Sequence, residues 1–247
     1  MSRLIVLSAS VLLAGCSAMD PPIYGSGKAK TEKRDVTEFH AIELSVGSAD
    51  LDVRKGDTAS LELTWDDNLV PLVVTSVVKG VLKISVERKT SSAQAAMIRI
   101  TVPKVSKVSV TGAGNISIEE LGGPKAELSI AGSSDIAATV NADNFSIAIA
   151  GSGIVTASGN SPDVAISISG SGYVDTSAIR ADAVKIDIVG GGTVALHAEK
   201  HLDVSIAGSG DISYSGKPQV KQSIAGSGSV TGRAGVSPPA ESVNDKK

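Results

Sequence analysis

A glycine cluster returns through the second half of the chain at a nearly fixed interval. Aligned on the first glycine, the segments read Val-Ser-Val-Thr-Gly112, Leu-Ser-Ile-Ala-Gly132, Ile-Ala-Ile-Ala-Gly151, Ile-Ser-Ile-Ser-Gly170, Ile-Asp-Ile-Val-Gly190, Val-Ser-Ile-Ala-Gly208 and Gln-Ser-Ile-Ala-Gly226. Their spacings are 20, 19, 19, 20, 18 and 18 residues. Each glycine is followed by two small residues, the second usually glycine, then a variable one and an apolar one: Ile116, Ile136, Val155, Val174, Val194, Ile212 and Val230. One unit is therefore a strand, a glycine corner, a second strand and a looser return.

The strands alternate. Val164, Ile166 and Ile168 point one way and Ala165, Ser167 and Ser169 the other, and a period of two with β-branched residues specifies strand rather than helix. A unit of this length cannot bury its own apolar face, but stacking units at ~4.8 Å buries a continuous column. The expected fold is all-β: a right-handed parallel β-solenoid, or β-helix, whose seven corners make a stack about 29 Å long, with a β-rich N-terminal cap. Composition agrees. The chain of 247 residues holds 26 glycines but only six aromatics, so its core is built from Val, Ile, Leu and Ala. Sharp stacked corners require positive φ or close backbone approach, which assigns Gly112, Gly132, Gly151, Gly170, Gly190, Gly208 and Gly226 as structural corner residues.

The first half is β-rich as well. Strands are expected at Phe39–Val46, Ala49–Val53, Ser60–Trp65, Val70–Val78, Val81–Glu87 and Ala96–Val102, with Val78-Lys79-Gly80-Val81 as a hairpin. No Pro- or Gly-rich linker separates the halves. Residues 36–231 read as one domain, an N-terminal β region at 36–110 that closes the open edge of a seven-corner solenoid at 111–231. Residues 232–247, with Pro238-Pro239 and a polar end, read as a disordered tail.

The N-terminus reads as an address. Met1-Ser2-Arg3 is a charged lead, Leu4 to Leu13 an apolar stretch too short to span as a mature helix, and Ala14-Gly15-Cys16 a small-residue cleavage site. Leu13-Ala14-Gly15-Cys16 resembles the lipobox of bacterial lipoproteins, which implies a signal peptide at 1–15, cleavage between Gly15 and Cys16, and acylation of the Cys16 thiol. The competing reading is an ordinary secretory signal with an incidental cysteine. Each buried methylene contributes about 0.8 kcal/mol, so two or three acyl chains hold a protein stably on a membrane. By resemblance to the sorting rule of enterobacterial lipoproteins, Ser17 implies the bacterial outer membrane, with the domain facing either the periplasm or the surface. Residues 16–35 then read as lipid anchor and tether, with Lys28, Lys30, Lys33 and Arg34 diluted by Glu32 and Asp35, so that a solvated linker is favoured over head-group contact.

Little chemistry is available elsewhere. A net charge of -3 and too few aromatics for stacking platforms exclude a nucleic-acid partner. One cysteine and three histidines leave no metal cluster, and no cofactor is expected. A calcium ladder at the position after each corner needs a row of aspartates, yet only Asp135 and Asp211 stand there beside Asn115, Ile154, Tyr173, Thr193 and Ser229. Gly190-Gly191-Gly192 lacks the lysine and helix of a phosphate loop. Asp175, Asp182, Asp187 and Asp203 fall on successive coils and, like the adjacent Glu119 and Glu120, read as solvated charge rather than a hydrolytic pair. His197 and His201 read as parts of a polar loop, and no serine sits in a nucleophile elbow.

Parity places Ser129, Ala148, Ser167, Ser169, Ser205 and Ser223 outside, together with Ala131, Ala150, Ala207 and Ala225. Small residues suit a tight solenoid on structural grounds alone. The same flat face, interrupted by Lys185 and Asp187, is the candidate surface for a protein, a glycan or a second copy of the chain. Charge differs by halves: residues 112–230 carry 12 acids against 6 bases, and 17–111 carry 12 against 13.

Val36-Thr37-Glu38-Phe39-His40-Ala41-Ile42, Leu51-Asp52-Val53, Gly80-Val81-Leu82-Lys83-Ile84, Ile100-Thr101-Val102-Pro103 and the Gly-Ser-Gly run, in that order, resemble the auto-transporter adhesin head GIN domain family over roughly Asp35 to Val230. The resemblance implies a β-helical, envelope-associated bacterial protein, often a lipoprotein. Nothing after Val230 could form a translocator barrel, so self-export is not expected. The expectation is a membrane-anchored envelope lipoprotein, not an enzyme, with a non-enzymatic binding, adhesin-like or scaffolding role. The alternatives are a carbohydrate-active β-helix enzyme or a self-associating structural protein.

Overall fold

The structure is a computed structural model that describes residues 21–233. Cys16, the signal segment and the tail beyond Arg233 lie outside the described residues. The fold is all-β, a solenoid whose coils each place one strand in a front sheet and one in a back sheet. The front sheet carries, in spatial order, residues 73–78, 81–86, 41–45, 107–112, 125–132, 144–151, 163–170, 183–190, 201–208 and 219–226. The back sheet carries 29–34, 60–66, 96–102, 49–55, 115–123, 135–142, 154–160, 173–180, 193–197, 211–215 and 229–232. From the 81–102 coil to the 219–232 coil every coil-to-coil pairing is parallel. The antiparallel strands Val73–Val78, Ser60–Asp66 and Ala29–Arg34 close one end.

Two features differ from the sequence expectation. The N-terminal region is more than a cap, because Ala41–Ser45 with Ala49–Lys55, and Val81–Val86 with Ala96–Val102, are coils of the same stack. Eleven back-sheet strands at ~4.8 Å give about 48 Å, longer than the seven corners alone. The stack also departs from chain order: the 41–55 coil lies between the 81–102 coil and the 107–123 coil. The second correction concerns the tether. Ile23–Tyr24 pairs with Thr90–Ser91, and Ala29–Arg34 pairs with Ser60–Asp66, so residues 23–34 are built into the fold.

Aliphatic ladders form the core. Leu82, Ile42, Val108, Leu128, Ile147, Ile166, Ile186 and Val204 stack in one row, and Ile98, Leu51, Ile116, Ile136, Val155, Val174, Val194 and Ile212 in the facing row. All are buried, and each contributes about 1.5–3 kcal/mol of burial. Phe145 fits inside because Ala126 occupies the same position one coil away. At the capped end the Arg34 guanidinium donates to the carbonyls of Val70 and Val73 and to Glu32, clasping the last strand to the turn at Val70–Leu72. The hairpin at Lys79-Gly80 is present, with both residues at positive φ.

Repeat length is absorbed away from the front sheet. The two 20-residue spacings coincide with register shifts on the back sheet, at Ile118/Leu121 and beside Asp175 to Ala178. These are β-bulges that accommodate one extra residue. The shorter 18-residue spacings shorten the return at 197–201 and 215–219 instead.

Candidate binding faces

The seven corner glycines form one ladder, all at positive φ. At Gly170 (φ 128°) a Cβ would lie 2.3 Å from the carbonyl oxygen of Gly151 in the coil below, so neither the conformation nor the space admits a side chain. Corners held this close keep the front strands in strict register.

The front face follows from that register. Its middle row runs Glu43, Ser109, Ser129, Ala148, Ser167, Asp187, Ser205 and Ser223; its third row runs Thr111, Ala131, Ala150, Ser169, Val189, Ala207 and Ala225. All six predicted face residues therefore share one sheet surface, with Ser169 in the row beside the other five. The first row carries charge at both ends, Lys107 and Glu127 then Lys185, Asp203 and Lys221, with Ser146 and Ala165 between them. Glu127 meets Lys125 and Lys107, and hydrogen bonds from those two ammonium groups hold its carboxyl below the usual range. Lys185 pairs with Asp187 at 3.4 Å. Val189, 61% exposed, is an apolar interruption that alternation alone did not single out.

The back face is different. Its outer row is Asp50, Asn115, Asp135, Ile154, Tyr173, Thr193, Asp211 and Ser229, the aligned position after each corner. Ile154 and Tyr173 stack as exposed neighbours, and a shallow groove of about 490 Å³ runs past Asp135, Asn115, Arg99 and Met97. Asp50 accepts from the backbone and side-chain N–H groups of Asn115. No cluster of three metal-ligating side chains occurs among the described residues.

The carboxylates considered for hydrolysis do not converge. Asp175 is on the back sheet and accepts from the N–H and Oγ of Ser177 within the bulge. Asp187 and Asp203 are on the front sheet, and Asp182 pairs with Lys200 at 2.9 Å. Glu119 accepts from the Lys55 N–H and Glu120 from Lys55 Nζ.

His197 is a correction to the loop reading. It is 3% exposed; Nδ1 lies 2.9 Å from Ser215 Oγ and Nε2 2.9 Å from Glu199 Oε1. Ser215 Oγ also reaches the Leu196 carbonyl. This Ser, His and Glu set satisfies a polar group buried between the last coils. His201 is exposed and takes no part in it.

An elongated parallel β-solenoid with two open lateral faces and glycine-stacked corners defines the class: a β-helical domain. The chain belongs to the family described as putative auto-transporter adhesin, head GIN domain, whose model matches residues 38–218. Among solved structures it is similar to a putative adhesin from Bacteroides fragilis NCTC 9343, at 23% identity and a TM-score of 0.78, covering 85% of this chain and 100% of that one. It is also similar to a putative lipid binding protein from Parabacteroides distasonis ATCC 8503, at 24% identity and a TM-score of 0.69, covering 86% and 100%. A third, a putative adhesin from Parabacteroides merdae ATCC 43184, has 23% identity and a TM-score of 0.69, covering 85% and 98%. At these identities the likeness carries the fold. No curated protein matches the chain.

Proposed function

We propose that this chain is a bacterial envelope lipoprotein, held on the outer membrane through acyl chains on Cys16, and that it acts as an adhesin-like, non-enzymatic binding module. The family and two of the three similar structures are described as adhesins, which supports an envelope or surface role. The observation that carries the binding reading is the front face: small side chains in unbroken register let a partner backbone, glycan or second copy approach closely along its length. Ser129, Ala148, Ser167, Ser169, Ser205 and Ser223 are its contact residues. The lipobox-like Leu13-Ala14-Gly15-Cys16 supports the anchor, and Ser17 supports the outer membrane.

Labelled palmitate should enter the wild-type chain and fail to enter Cys16→Ala. Protease added to intact cells then reports which side the domain faces. Incorporation that survives Cys16→Ala would remove the anchoring half of the proposal. Binding to envelope fractions that is unchanged in Ser167→Lys/Ser169→Lys would remove the front face.

A further inference from the structure

We infer that the capped end of the solenoid is a membrane-contacting surface and that the anchored domain stands end-on, with its last coil pointing away from the bilayer. The inference rests on the anchoring proposed above and adds its geometry.

Three observations carry it. The first is the length of the link. Pairing of Ile23–Tyr24 with Thr90–Ser91 begins the fold seven residues after Cys16, and the backbone N–H groups of Ile23 and Gly25 donate to the carbonyls of Lys89 and Ser91 at 2.9 Å. Buried Asp66 holds the next turn, accepting from the Gly27 N–H and from Ser92 Oγ. From Cys16 to Pro21 the chain can span at most about 18 Å. The long tether read from sequence is therefore unavailable, and whatever holds Cys16 also holds this end.

The second is where the segment docks. Ala29–Arg34 is the outermost strand of the back sheet, and Thr90–Ser91 lies between the two strands of the outermost coil. Both belong to the capped end: Ala29–Arg34 lies about 48 Å, and the coil that carries Thr90–Ser91 about 38 Å, from the coil at 219–232.

The third is the surface itself. Tyr24 is 69% exposed, the most exposed large apolar side chain among the described residues, and stands where the chain leaves the fold. An aromatic with a polar tip is suited to the head-group layer. Lys28, Arg88 and Lys89 flank it, offset by Asp67 and Glu87. By contrast, residues 112–230 carry 12 acids against 6 bases. Laying the solenoid on an anionic leaflet would press that excess against like charge, whereas the capped end meets it near neutrality. The link fixes which end is near, and the charge distribution turns the rod upright.

The test uses the chain from Cys16 to Lys247, coupled through its single thiol to a maleimide lipid in a supported bilayer containing phosphatidylglycerol. Neutron reflectometry should give a protein layer about 48 Å thick, and a layer near the ~26 Å length of an eight-residue strand would overturn the inference. In about 1 M salt, where the Debye length falls to about 3 Å, the layer should thin; a thickness indifferent to salt would overturn the electrostatic argument. Brominated lipids should quench an added tryptophan in Tyr24→Trp and spare one in Ser227→Trp on the last corner, and the reverse order would also refute it. Chemical coupling separates these outcomes from cellular acylation, whose failure would refute the anchoring alone.

Discussion

Gly190, Gly191 and Gly192 are consecutive and identical in sequence, yet the structure assigns them three different costs of gaining a methyl group. Gly190 is a corner at φ 124°, and its Cβ would lie 2.4 Å from the Gly170 carbonyl oxygen. Backbone strain of about 1–3 kcal/mol adds to an overpacking cost of similar size, because the obstacle is backbone and cannot rotate aside. Gly190→Ala should therefore lose about 3 kcal/mol or more. Gly191 has a φ outside the left-handed range and meets nothing nearer than Ser171 Oγ at 3.9 Å. Gly191→Ala should gain about 0.4–1 kcal/mol by restricting the unfolded chain. Gly192 faces inward, with its Cβ 2.9 Å from Ile168 Cγ2, a side chain that can shift, so Gly192→Ala should lose about 1–3 kcal/mol. Urea denaturation followed by far-ultraviolet circular dichroism reads the order directly. With an m-value near 2–3 kcal/mol/M, the midpoint should fall by about 1 M or more for Gly190→Ala and rise slightly for Gly191→Ala. Midpoints are the suitable quantity because stacked coils can unfold in segments. Equal midpoints for the 190 and 191 variants, or a worse result at 191, would refute the stacked-corner account.

Four further outcomes are expected. Gln222 ends the row Ile166, Ile186 and Val204 on the exposed last coil, so Gln222→Leu should extend an apolar edge and produce concentration-dependent dimers in analytical ultracentrifugation; a monomer at all concentrations would show that the edge is guarded otherwise. His197→Ala should cost about 2–3 kcal/mol in chemical denaturation by opening a void beside Ser215 and Glu199, and a neutral result would contradict its buried role. Because the folded-state pKa of Glu127 is depressed, its contribution is present above the unfolded value and is lost as pH falls through the folded one. Glu127→Gln should thus lower stability by under about 1 kcal/mol at pH 7, the gap closing as pH falls through the depressed folded-state pKa, and a gap that persists in acid would refute the pairing with Lys125 and Lys107. If the front face self-associates, Ser167→Lys/Ser169→Lys should reduce the mass measured by light scattering; an unchanged monomer excludes that use of the face.

Legibility in the sequence followed locality. Alternation and the glycine interval place every front strand from 107 onward, because inward and outward residues differ sharply in size and polarity. The strand Ala29–Arg34 was hidden by the same chemistry that makes it a safe edge: Lys30, Glu32, Lys33 and Arg34 discourage pairing with another chain and read as a linker. Stack order was hidden too. Leu51-Asp52-Val53 and Ile98-Arg99-Ile100 have equivalent patterns, and nothing local says that the 41–55 coil is inserted beneath the 81–102 coil. His197 sits where the short return rotates a residue off strand parity, so alternation could not reveal that it turns inward.

The two lateral faces differ in a way that bears on what each can recognise. Front strands from 144–151 to 219–226 each have eight residues and pair without a shift, so their side chains form a lattice with one spacing and little relief. Such a lattice offers the same contact many times and suits an extended or repetitive partner, with affinity accumulating over weak identical steps. Both bulges lie on the back sheet, one in the coil before Asp135 and the other within the strand that begins at Tyr173. Bulges re-aim side chains, and this row changes character from carboxylate to apolar to aromatic within three coils. A face of that kind distinguishes positions along its length. If the protein recognises a repeating surface, substitutions on the front should weaken binding in proportion to the number of coils altered. If it recognises one defined feature, Tyr173→Ala alone should abolish binding. The two faces therefore make opposite predictions for the same binding assay.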